Sequence, residues 1–469
     1  MPTLIPELVY ERGRFVTGRA VGCDPERGVI TAVDSSEALE SGDAGVVPLP
    51  GRALIAGFVN AHSHAFQRLI RGRTQWRTAR ADSDFWGWRD AMYAVALALT
   101  PDEIEITARH CFLEMLHAGY TSVGEFHYLH RDAQGAAYAD PNELAQRVIA
   151  AARAVGIRIV LLNACYARGG MGAPLGPEQR RFATPELDPF LAATEGLAQR
   201  YRADGFVEVG VAPHSVRAVP REWLAQLAAW ARRRDAPCHM HVSEQPAEVE
   251  AAVRAWGVRP VELLAEEGVL SSSFTAVHAT HVLEREIALL AGAGANVCAC
   301  PTTERDLADG FLPGLELLES GVPICIGSDS QTRLDPFEEL RLLEYHERLR
   351  RLRRNVLLQR TQDQEERLYV APALLAAGAR SGARSLRLEA GEVEAGMLAD
   401  LIALDLSHPA LAGWTTESLP SLLALCVGPE VVSDVWVGGV ARVSDRQHAL
   451  DGITTIELQR VSKRVSREA

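Results

Sequence analysis

Two histidines separated by a single residue, His62 and His64, follow an apolar stretch over residues 53–59. The stretch is typical of a buried strand, and alternate residues of a strand face the same side. Two imidazoles on one face at a strand end can form half of a transition-metal site. The same pair could also be two surface histidines, so a metal site requires further ligands from elsewhere in the chain.

Apolar segments and amphipathic segments alternate through the middle of the chain. The predicted strands cover residues 53–60, 122–126, 158–163, 207–211, 238–242, 274–278, 295–300 and 323–329. Helical patterns between them include 101–118, 142–156, 220–234 and 283–292. Eight such strands indicate an α/β fold, a closed (β/α)8 barrel of the TIM type. A doubly wound open sheet is the alternative.

Residues with ligand or acid–base chemistry stand where these strands end. They are His62, His64, His127, Tyr128, His214, His241, Glu244, His278 and Asp329. One polar residue at a strand end is more often a satisfied structural group. In a barrel, however, these ends converge on one mouth, where catalytic groups lie. The whole set therefore favours an active site.

Two long segments between predicted elements are candidates for functional loops. Residues 71–92 include several aromatics and Arg89, and residues 167–190 are rich in glycine, proline and arginine. The aromatics could instead only pack on the outer wall of the barrel.

Short strand patterns at both chain ends predict a second, smaller domain. We expect residues 1–52 and 389–469 to form a composite β-sandwich, and residues 53–388 to form the barrel.

Composition excludes several classes of function. The net charge of −13 argues against nucleic acid and anionic membranes as partners, and an anionic substrate would need local cationic groups. No apolar stretch is long enough to span a bilayer, and the first residues lack a signal-peptide pattern. The eight cysteines include no C-x-x-C pair, which predicts reduced thiols in a cytoplasmic protein.

The strand-end residues resemble the pattern of the amidohydrolase superfamily: H-x-H, then H-x-x-E, then His, then Asp, after the first, fifth, sixth and eighth strands. The flanking segments 57–64, 396–400 and 435–439 agree, although Ala56 stands where the family often has proline. The resemblance implies a homodimer and one divalent metal ion, with zinc as the first expectation and iron(II) as the alternative. By position, the implied ligands are His62, His64, His241 and Asp329.

Some members of this superfamily hold two metal ions bridged by a carboxylated lysine after the fourth strand. The corresponding segment here, 209–214, has no lysine, and Lys463 is the only lysine of the chain. The sequence therefore predicts one ion per chain and resembles the mononuclear deaminase branch. This resemblance implies that Asp329 and His278 orient the attacking water, and that Glu244 carries a proton to the departing nitrogen.

Segments near the mouth resemble the formimidoylglutamate deiminase subgroup, namely Gln67 and residues 86–89, 125–128 and 212–217. Members of this subgroup hydrolyse N-formimidoyl-L-glutamate to N-formyl-L-glutamate and ammonia in histidine degradation. The resemblance implies these substrate-binding residues: Gln67, Arg89, Tyr128, His214 and Arg217. Because an arginine guanidinium group can bind a carboxylate through two parallel hydrogen bonds, two arginines suit a small dicarboxylate substrate.

Two alternative functions remain open from the sequence. The enzyme alternative is a deaminase or chlorohydrolase of a heterocycle such as guanine, a triazine or S-adenosylhomocysteine. The alternative of another class is a non-catalytic metal-binding scaffold. A scaffold would be free to lose Glu244, His278 or Asp329, and all three are present.

Overall fold

The computed structural model describes residues 1–37, 45–76, 84–359 and 367–468. Its strands are β1 (Thr3–Glu11), β2 (Arg14–Val16), β3 (Arg19–Asp24), β4 (Val29–Ser35), β5 (Val46–Ala56), β6 (Phe58–Ser63), β7 (Tyr120–His127), β8 (Arg158–Cys165), β9 (Val207–Pro213), β10 (Cys238–Val242), β11 (Phe274–His278), β12 (Asn296–Ala299), β13 (Ile324–Ile326), β14 (Leu401–Asp405), β15 (Val432–Val437) and β16 (Val440–Val443).

The α-helices of the described residues are α1 (Asp84–Ala98), α2 (Pro101–His117), α3 (Glu143–Val155), α4 (Leu187–Tyr201), α5 (Arg221–Arg234), α6 (Pro246–Trp256), α7 (Pro260–Glu266), α8 (Glu284–Gly292), α9 (Pro301–Asp306), α10 (Gly314–Glu319), α11 (Pro336–Arg351), α12 (Ala371–Gly378), α13 (Arg380–Ser385), α14 (Leu419–Leu425) and α15 (Ile453–Glu468). Short 3-10 helices cover Ala65–Ile70, Pro177–Phe182, Pro409–Leu411 and Pro429–Val431. None of the helices described is both long and apolar enough to cross a bilayer.

Strands β6 to β13 form a parallel barrel in chain order. The first and last of them meet, because Ser63 forms a parallel bridge with Asp329 just after β13. There the Asp329 N–H donates to the His62 carbonyl at 3.0 Å, and the His64 N–H donates to the Asp329 carbonyl at 3.1 Å. The predicted (β/α)8 barrel is therefore confirmed. The doubly wound alternative is excluded, because an open sheet would leave β6 and β13 as separate edges.

The prediction of a single first strand over residues 53–60 was wrong. The chain passes from β5, which belongs to another sheet, to barrel strand β6 at Gly57. The Gly57 N–H donates to the Asp400 carbonyl at 2.9 Å, and a Cβ at this position would lie 2.2 Å from the Thr121 side chain. The apolar pattern does not show the switch, because both strands are buried where they meet. The other predicted strands each overlap one barrel strand.

The two chain ends form one mixed sheet in the order β16-β15-β14-β5-β1-β3-β4, with β2 paired to β1. This confirms that both ends contribute to one β domain. A buried ion pair joins the sheet to the barrel: Arg158 of β8 binds both carboxylate oxygens of Asp400, at 2.7 and 3.0 Å. Loss of one partner of a buried pair costs about 3–5 kcal/mol, so this contact helps to fix the sheet against the barrel.

The long segment over 71–92 is not a continuous loop. Residues 77–83 lie outside the described part of the chain, and α1 begins at Asp84. The side chains of Phe85 and Trp86 also lie outside it, whereas Trp88 packs against the core and Trp76 is exposed. Sequence periodicity missed this helix because a helix in a protein is stabilised mainly by packing. The segment 167–190 contains the 3-10 helix Pro177–Phe182 and the start of α4.

Candidate active site

The Nε2 atoms of three histidines converge at the mouth of the barrel. His62 Nε2 lies 3.2 Å from His64 Nε2 and 3.1 Å from His241 Nε2. Asp329 Oδ1 lies 3.6 Å from His62 Nε2 and 3.4 Å from His64 Nε2. All four side chains are buried, and their ligand atoms lie within 4.8 Å of one another. Ligands 2.0–2.1 Å from a tetrahedral zinc ion would be roughly 3.4 Å apart, so the four predicted ligands fit one ion.

Backbone carbonyls determine which ring nitrogen of two histidines faces the site. His64 Nδ1 lies 2.9 Å from the Phe126 carbonyl, and His241 Nδ1 lies 3.0 Å from the His214 carbonyl. Because a carbonyl only accepts, each Nδ1 carries the proton and each Nε2 presents a lone pair. Burial lowers the pKa of His64 and His241 and lowers the pKa of His62 to about 3. The imidazoles are therefore neutral, as metal ligation requires.

The predicted catalytic residues Glu244, His278 and Asp329 lie together beside these ligands. His278 Nε2 is 3.7 Å from Asp329 Oδ2 and 3.8 Å from Glu244 Oε1. Burial opposes a charge on His278, but the charges of Glu244, Asp329 and Glu304 raise its pKa to about 10. Burial also raises the pKa of Glu244. The site thus places a carboxyl group that tends to keep its proton next to a basic imidazole.

The backbone is left-handed where three of these strands end. The φ angles are +52° at Ser243, +69° at His278 and +48° at Asp329. Such a conformation costs on the order of 1–3 kcal/mol in a residue other than glycine and is concentrated at active sites. Here it coincides with two predicted catalytic residues and with the residue before Glu244.

Three of the predicted substrate-binding residues are buried next to the ligands. Gln67 Nε2 donates to the Tyr128 hydroxyl at 2.8 Å. The Tyr128 ring centroid lies 4.9 Å from that of His64, and the His214 ring centroid lies 4.7 Å from that of His241. Burial lowers the pKa of His214 well below its ordinary value, and the charge of Arg217 lowers it further. A neutral, polar wall therefore lines this side of the metal ligands.

Both predicted arginines approach one tyrosine that the sequence did not single out, Tyr166 after β8. Burial raises the pKa of Tyr166, and the charges of Arg217 and Arg89 oppose this rise. Arg89 Cζ also lies 5.6 Å from the ring centroid of Tyr93. The structure thus brings Arg89 of α1 and Arg217, which follows β9, to the same region of the mouth.

Arg217 is half-buried and, within the described ranges, its guanidinium forms no hydrogen bond or ion pair. Burial opposes its charge, but Tyr166 and the carboxylates of Glu248 and Glu244 keep its pKa raised. Burial raises the pKa of Glu248 to about 7, against the charge of Arg217. An anion that entered the mouth would therefore meet a cation without a direct partner among these residues.

The metal ligands, the acid and the imidazole at the strand ends agree with a family model that matches most of the chain. A family model described as "Amidohydrolase family" covers residues 53–441. The chain belongs to the amidohydrolase family. It is a metal-dependent hydrolase of the deaminase type.

This amidohydrolase is similar to curated proteins with different substrates. It is 39% identical to a formimidoylglutamate deiminase of Pseudomonas aeruginosa over 85% of this chain and 86% of that protein. It is 31% identical to a 5-methylthioadenosine/S-adenosylhomocysteine deaminase of Natronomonas pharaonis over 99% and 95% of the two chains.

Solved structures share the whole fold of this amidohydrolase. A crystal structure of an amidohydrolase from Brucella melitensis superposes with a TM-score of 0.89 at 32% identity, over 99% of this chain and 100% of that one. An adenosine deaminase from Xanthomonas campestris with bound zinc gives 0.82 at 25% identity, over 99% and 98%.

A buried hydrogen-bond network joins the ligand-bearing strands of this amidohydrolase, and sequence reasoning missed it. Ser63 Oγ donates to Glu125 Oε2 at 2.6 Å, and Gln331 Nε2 donates to Ser63 Oγ at 2.8 Å. Ser328 Oγ donates to Gln331 Oε1 at 2.9 Å, and Asn60 Nδ2 donates to Ser328 Oγ at 2.7 Å. The available signal was proximity, since Ser63, Ser328 and Gln331 stand one or two positions from metal ligands in the chain.

The predicted functional segment 167–190 also contributes a residue that the sequence did not single out. Gln179 is buried in the 3-10 helix Pro177–Phe182. Its Nε2 donates to the hydroxyls of Tyr93 and Tyr166, at 3.0 and 2.9 Å. These bonds fix the tyrosine that both arginines approach.

We expect Gln331→Ala to weaken metal affinity by about ten- to hundredfold, the range for partners that orient ligands. Gln331 holds both Ser63 Oγ and, at 2.9 Å, the Asp329 carbonyl. Competition with a chelator measures the affinity, and the melting temperature shows whether the fold is kept. Gln199→Ala, which changes an exposed side chain of α4, is the matched control. A folded Gln331→Ala protein with the affinity of the control would contradict this role.

Proposed function

We propose that this amidohydrolase hydrolyses N-formimidoyl-L-glutamate to N-formyl-L-glutamate and ammonia, a step of histidine degradation. The observation that carries the proposal is the Arg217 guanidinium, which is half-buried at the mouth with no ion-pair partner in the described residues. The similarity to the Pseudomonas aeruginosa deiminase supports the same substrate.

A dicarboxylate explains why two arginines stand at one mouth. The chain carries a net charge of −13, so long-range forces repel an anion and attraction must come from short-range groups. Arg217 and Arg89 both lie near Tyr166, where each guanidinium can take one carboxylate in the bidentate manner. The neutral Gln67, Tyr128 and His214 then line the path between the carboxylates and the metal ligands. A heterocycle without carboxylates would offer no anionic group to the Arg217 guanidinium.

The proposed chemistry requires one divalent ion in the four-ligand site. Three imidazoles and one carboxylate suit zinc, and iron(II) is the alternative. Such an ion supplies a Lewis acid that makes water nucleophilic near neutral pH.

The protein residues orient the reactants and move protons. Asp329 Oδ2 and His278 Nε2, 3.7 Å apart, would orient the water that attacks the formimidoyl carbon, and the Asp329 carboxylate would take its proton. Glu244 tends to keep its proton because burial raises its pKa, and it protonates the departing nitrogen. This step is necessary because nitrogen leaves readily only as ammonia, not as the amide ion.

His241→Ala should abolish tight metal binding, because it removes one of four protein ligands. Elemental analysis of the purified protein should find about one divalent ion per chain, and much less in this variant. His239→Ala is the matched control, since His239 lies in the same strand but its Nε2 is 2.9 Å from the Ser385 carbonyl. Two tightly bound ions in the unchanged protein, or full metal content in His241→Ala, would contradict the ligand set.

Ammonia release by the purified protein tests the substrate directly. The panel contains formimidoylglutamate, guanine and S-adenosylhomocysteine, each over a range of concentrations. We expect the highest kcat/KM for formimidoylglutamate. A higher value for either heterocycle would overturn the proposed substrate while leaving the family assignment intact. The homodimer and the cytoplasmic location remain predictions from the sequence.

A further inference from the structure

The two carboxylate oxygens of Asp329 face two different sets of possible ligands. Oδ1 faces His62 and His64 in the four-ligand site, whereas Oδ2 is 3.7 Å from His278 Nε2. Cys300, just after β12, completes the second set: the ligand atoms of His278, Cys300 and Asp329 lie within 4.8 Å of one another. All three residues are buried, and none of the roles proposed above uses Cys300.

Glu304 contacts two residues of the second set, as carboxylates that orient metal ligands without binding the metal commonly do. Its Oε1 lies 3.3 Å from His278 Nδ1 and accepts the Cys300 N–H at 2.8 Å. The contact of Nδ1 with this carboxylate leaves Nε2 directed at Asp329, an arrangement typical of metal-binding histidines. Glu304 is only 1% exposed, so water screens its carboxylate little. The carboxylate therefore favours a cation at this place.

We propose that His278, Cys300 and Asp329 form a second, weaker metal site that binds zinc when the ion is in excess and thereby inhibits hydrolysis. Nitrogen, sulfur and oxygen donors together suit zinc. The site is the weaker one because it shares Asp329 with the first ion and because the two ions repel each other. In addition, the Cys300 thiol and the His278 imidazole each release a proton to solvent on binding. The inhibition rests on the proposed roles of His278 and Asp329 in hydrolysis, because a second ion would occupy both side chains.

Cobalt(II) titration of the metal-free protein tests the site without any substrate. A thiolate bound to cobalt gives an intense charge-transfer absorption in the near ultraviolet, which imidazole and carboxylate ligands do not give. The four-ligand site has no sulfur, so the first equivalent of cobalt should leave this region unchanged. The absorption should develop only as further cobalt is added. Its absence throughout the titration, or its appearance with the first equivalent, would overturn the proposal.

Variants assign the absorption to one sulfur. All proteins carry Cys426→Ala, because Cys426 is an exposed thiol that could bind cobalt by itself. In this background Cys300→Ala should lose the absorption, and Cys298→Ala should keep it. Cys298 is the matched control because it is buried two residues earlier and belongs to neither ligand set. Absorption retained in Cys300→Ala, or lost only in Cys298→Ala, would show that Cys300 is not the ligand.

Zinc inhibition is the second measurement. For each protein, activity in excess zinc is divided by activity at one equivalent. The zinc concentration that halves this ratio should rise by at least about tenfold in Cys300→Ala, since loss of a direct ligand should exceed the effect of losing an outer partner. Equal inhibition of Cys300→Ala and Cys298→Ala would contradict the inhibitory role. If the substrate proposal were wrong, the cobalt result would still stand, so the two failures are distinguishable.

Discussion

Glu244→Gln should lower kcat by about two to four orders of magnitude while the metal ion remains bound. Glutamine keeps the shape and the hydrogen-bonding capacity of the side chain, but it cannot donate a proton and receive it back. Glu244 lies 3.8 Å from His278 Nε2 and is not among the four ligands. The loss should therefore fall on the chemical step, measured as ammonia release at saturating substrate.

Glu248→Gln is the matched control for this variant. Glu248 is buried like Glu244 and also has a raised pKa, at about 7. Its Oε1, however, lies 3.4 Å from the Ser243 N–H, and an amide oxygen can accept that bond as well. We expect a loss of kcat below about tenfold in the control. Near-normal turnover in Glu244→Gln, or an equal loss in both variants, would disprove the proton-transfer role of Glu244.

Arg217→Met should lower kcat/KM for formimidoylglutamate by roughly ten- to more than a hundredfold. A hydrogen bond to a charged partner contributes about 1.5–3 kcal/mol, and a tenfold change corresponds to about 1.4 kcal/mol. Methionine keeps much of the apolar part of the side chain but removes the positive charge and the hydrogen-bond donors of the guanidinium group. An N-alkylformamidine without carboxylates should be affected much less, because it presents the same reacting carbon and no anion. Comparison of the two substrates in the same variant separates carboxylate binding from damage to the site.

Arg221→Met is the control for loss of an arginine close by in the chain. Arg221 begins α5 and pairs with Glu267 and Glu266 at 2.5 and 3.0 Å. Its positive charge is therefore already paired with carboxylates of the protein. We expect this variant to keep kcat/KM within about a factor of three on both substrates. Equal losses on the charged and the neutral substrate in Arg217→Met would reject the carboxylate role and leave only the metal chemistry assigned.

Much of the site could be predicted because the catalytic residues of such barrels lie at the C-terminal ends of the strands. Each ligand stands within a few residues of an apolar run, such as Ile324–Ile326 before Asp329. Parallel barrel strands are buried on both faces, so they read as continuous apolar segments. The order of the strands then follows from chain order alone. For these reasons the closed barrel and the convergence of His62, His64, His241 and Asp329 were predictable.

Continuous burial also concealed one boundary. The apolar run through Gly57 contains the end of β5 and the start of β6, and hydrophobicity does not distinguish two sheets that are both buried. Likewise, α1 begins at Asp84 among aromatic and charged residues whose periodicity predicts no helix. Both features depend on which surface the segment packs against, and this is a tertiary property.

The sequence by itself determined the residue types at each strand end, the lack of a lysine for a bridged pair of ions, and the acidic charge that requires local cations for an anionic substrate. Only the tertiary structure decided the geometry between segments distant in the chain. It brought Arg89 and Arg217 to the same tyrosine, linked Ser63 to Gln331 across the barrel closure, and turned the second oxygen of Asp329 towards His278. The physical reason is that hydrogen bonds and charges act over a few ångströms, whereas a sequence pattern records only neighbours along the chain.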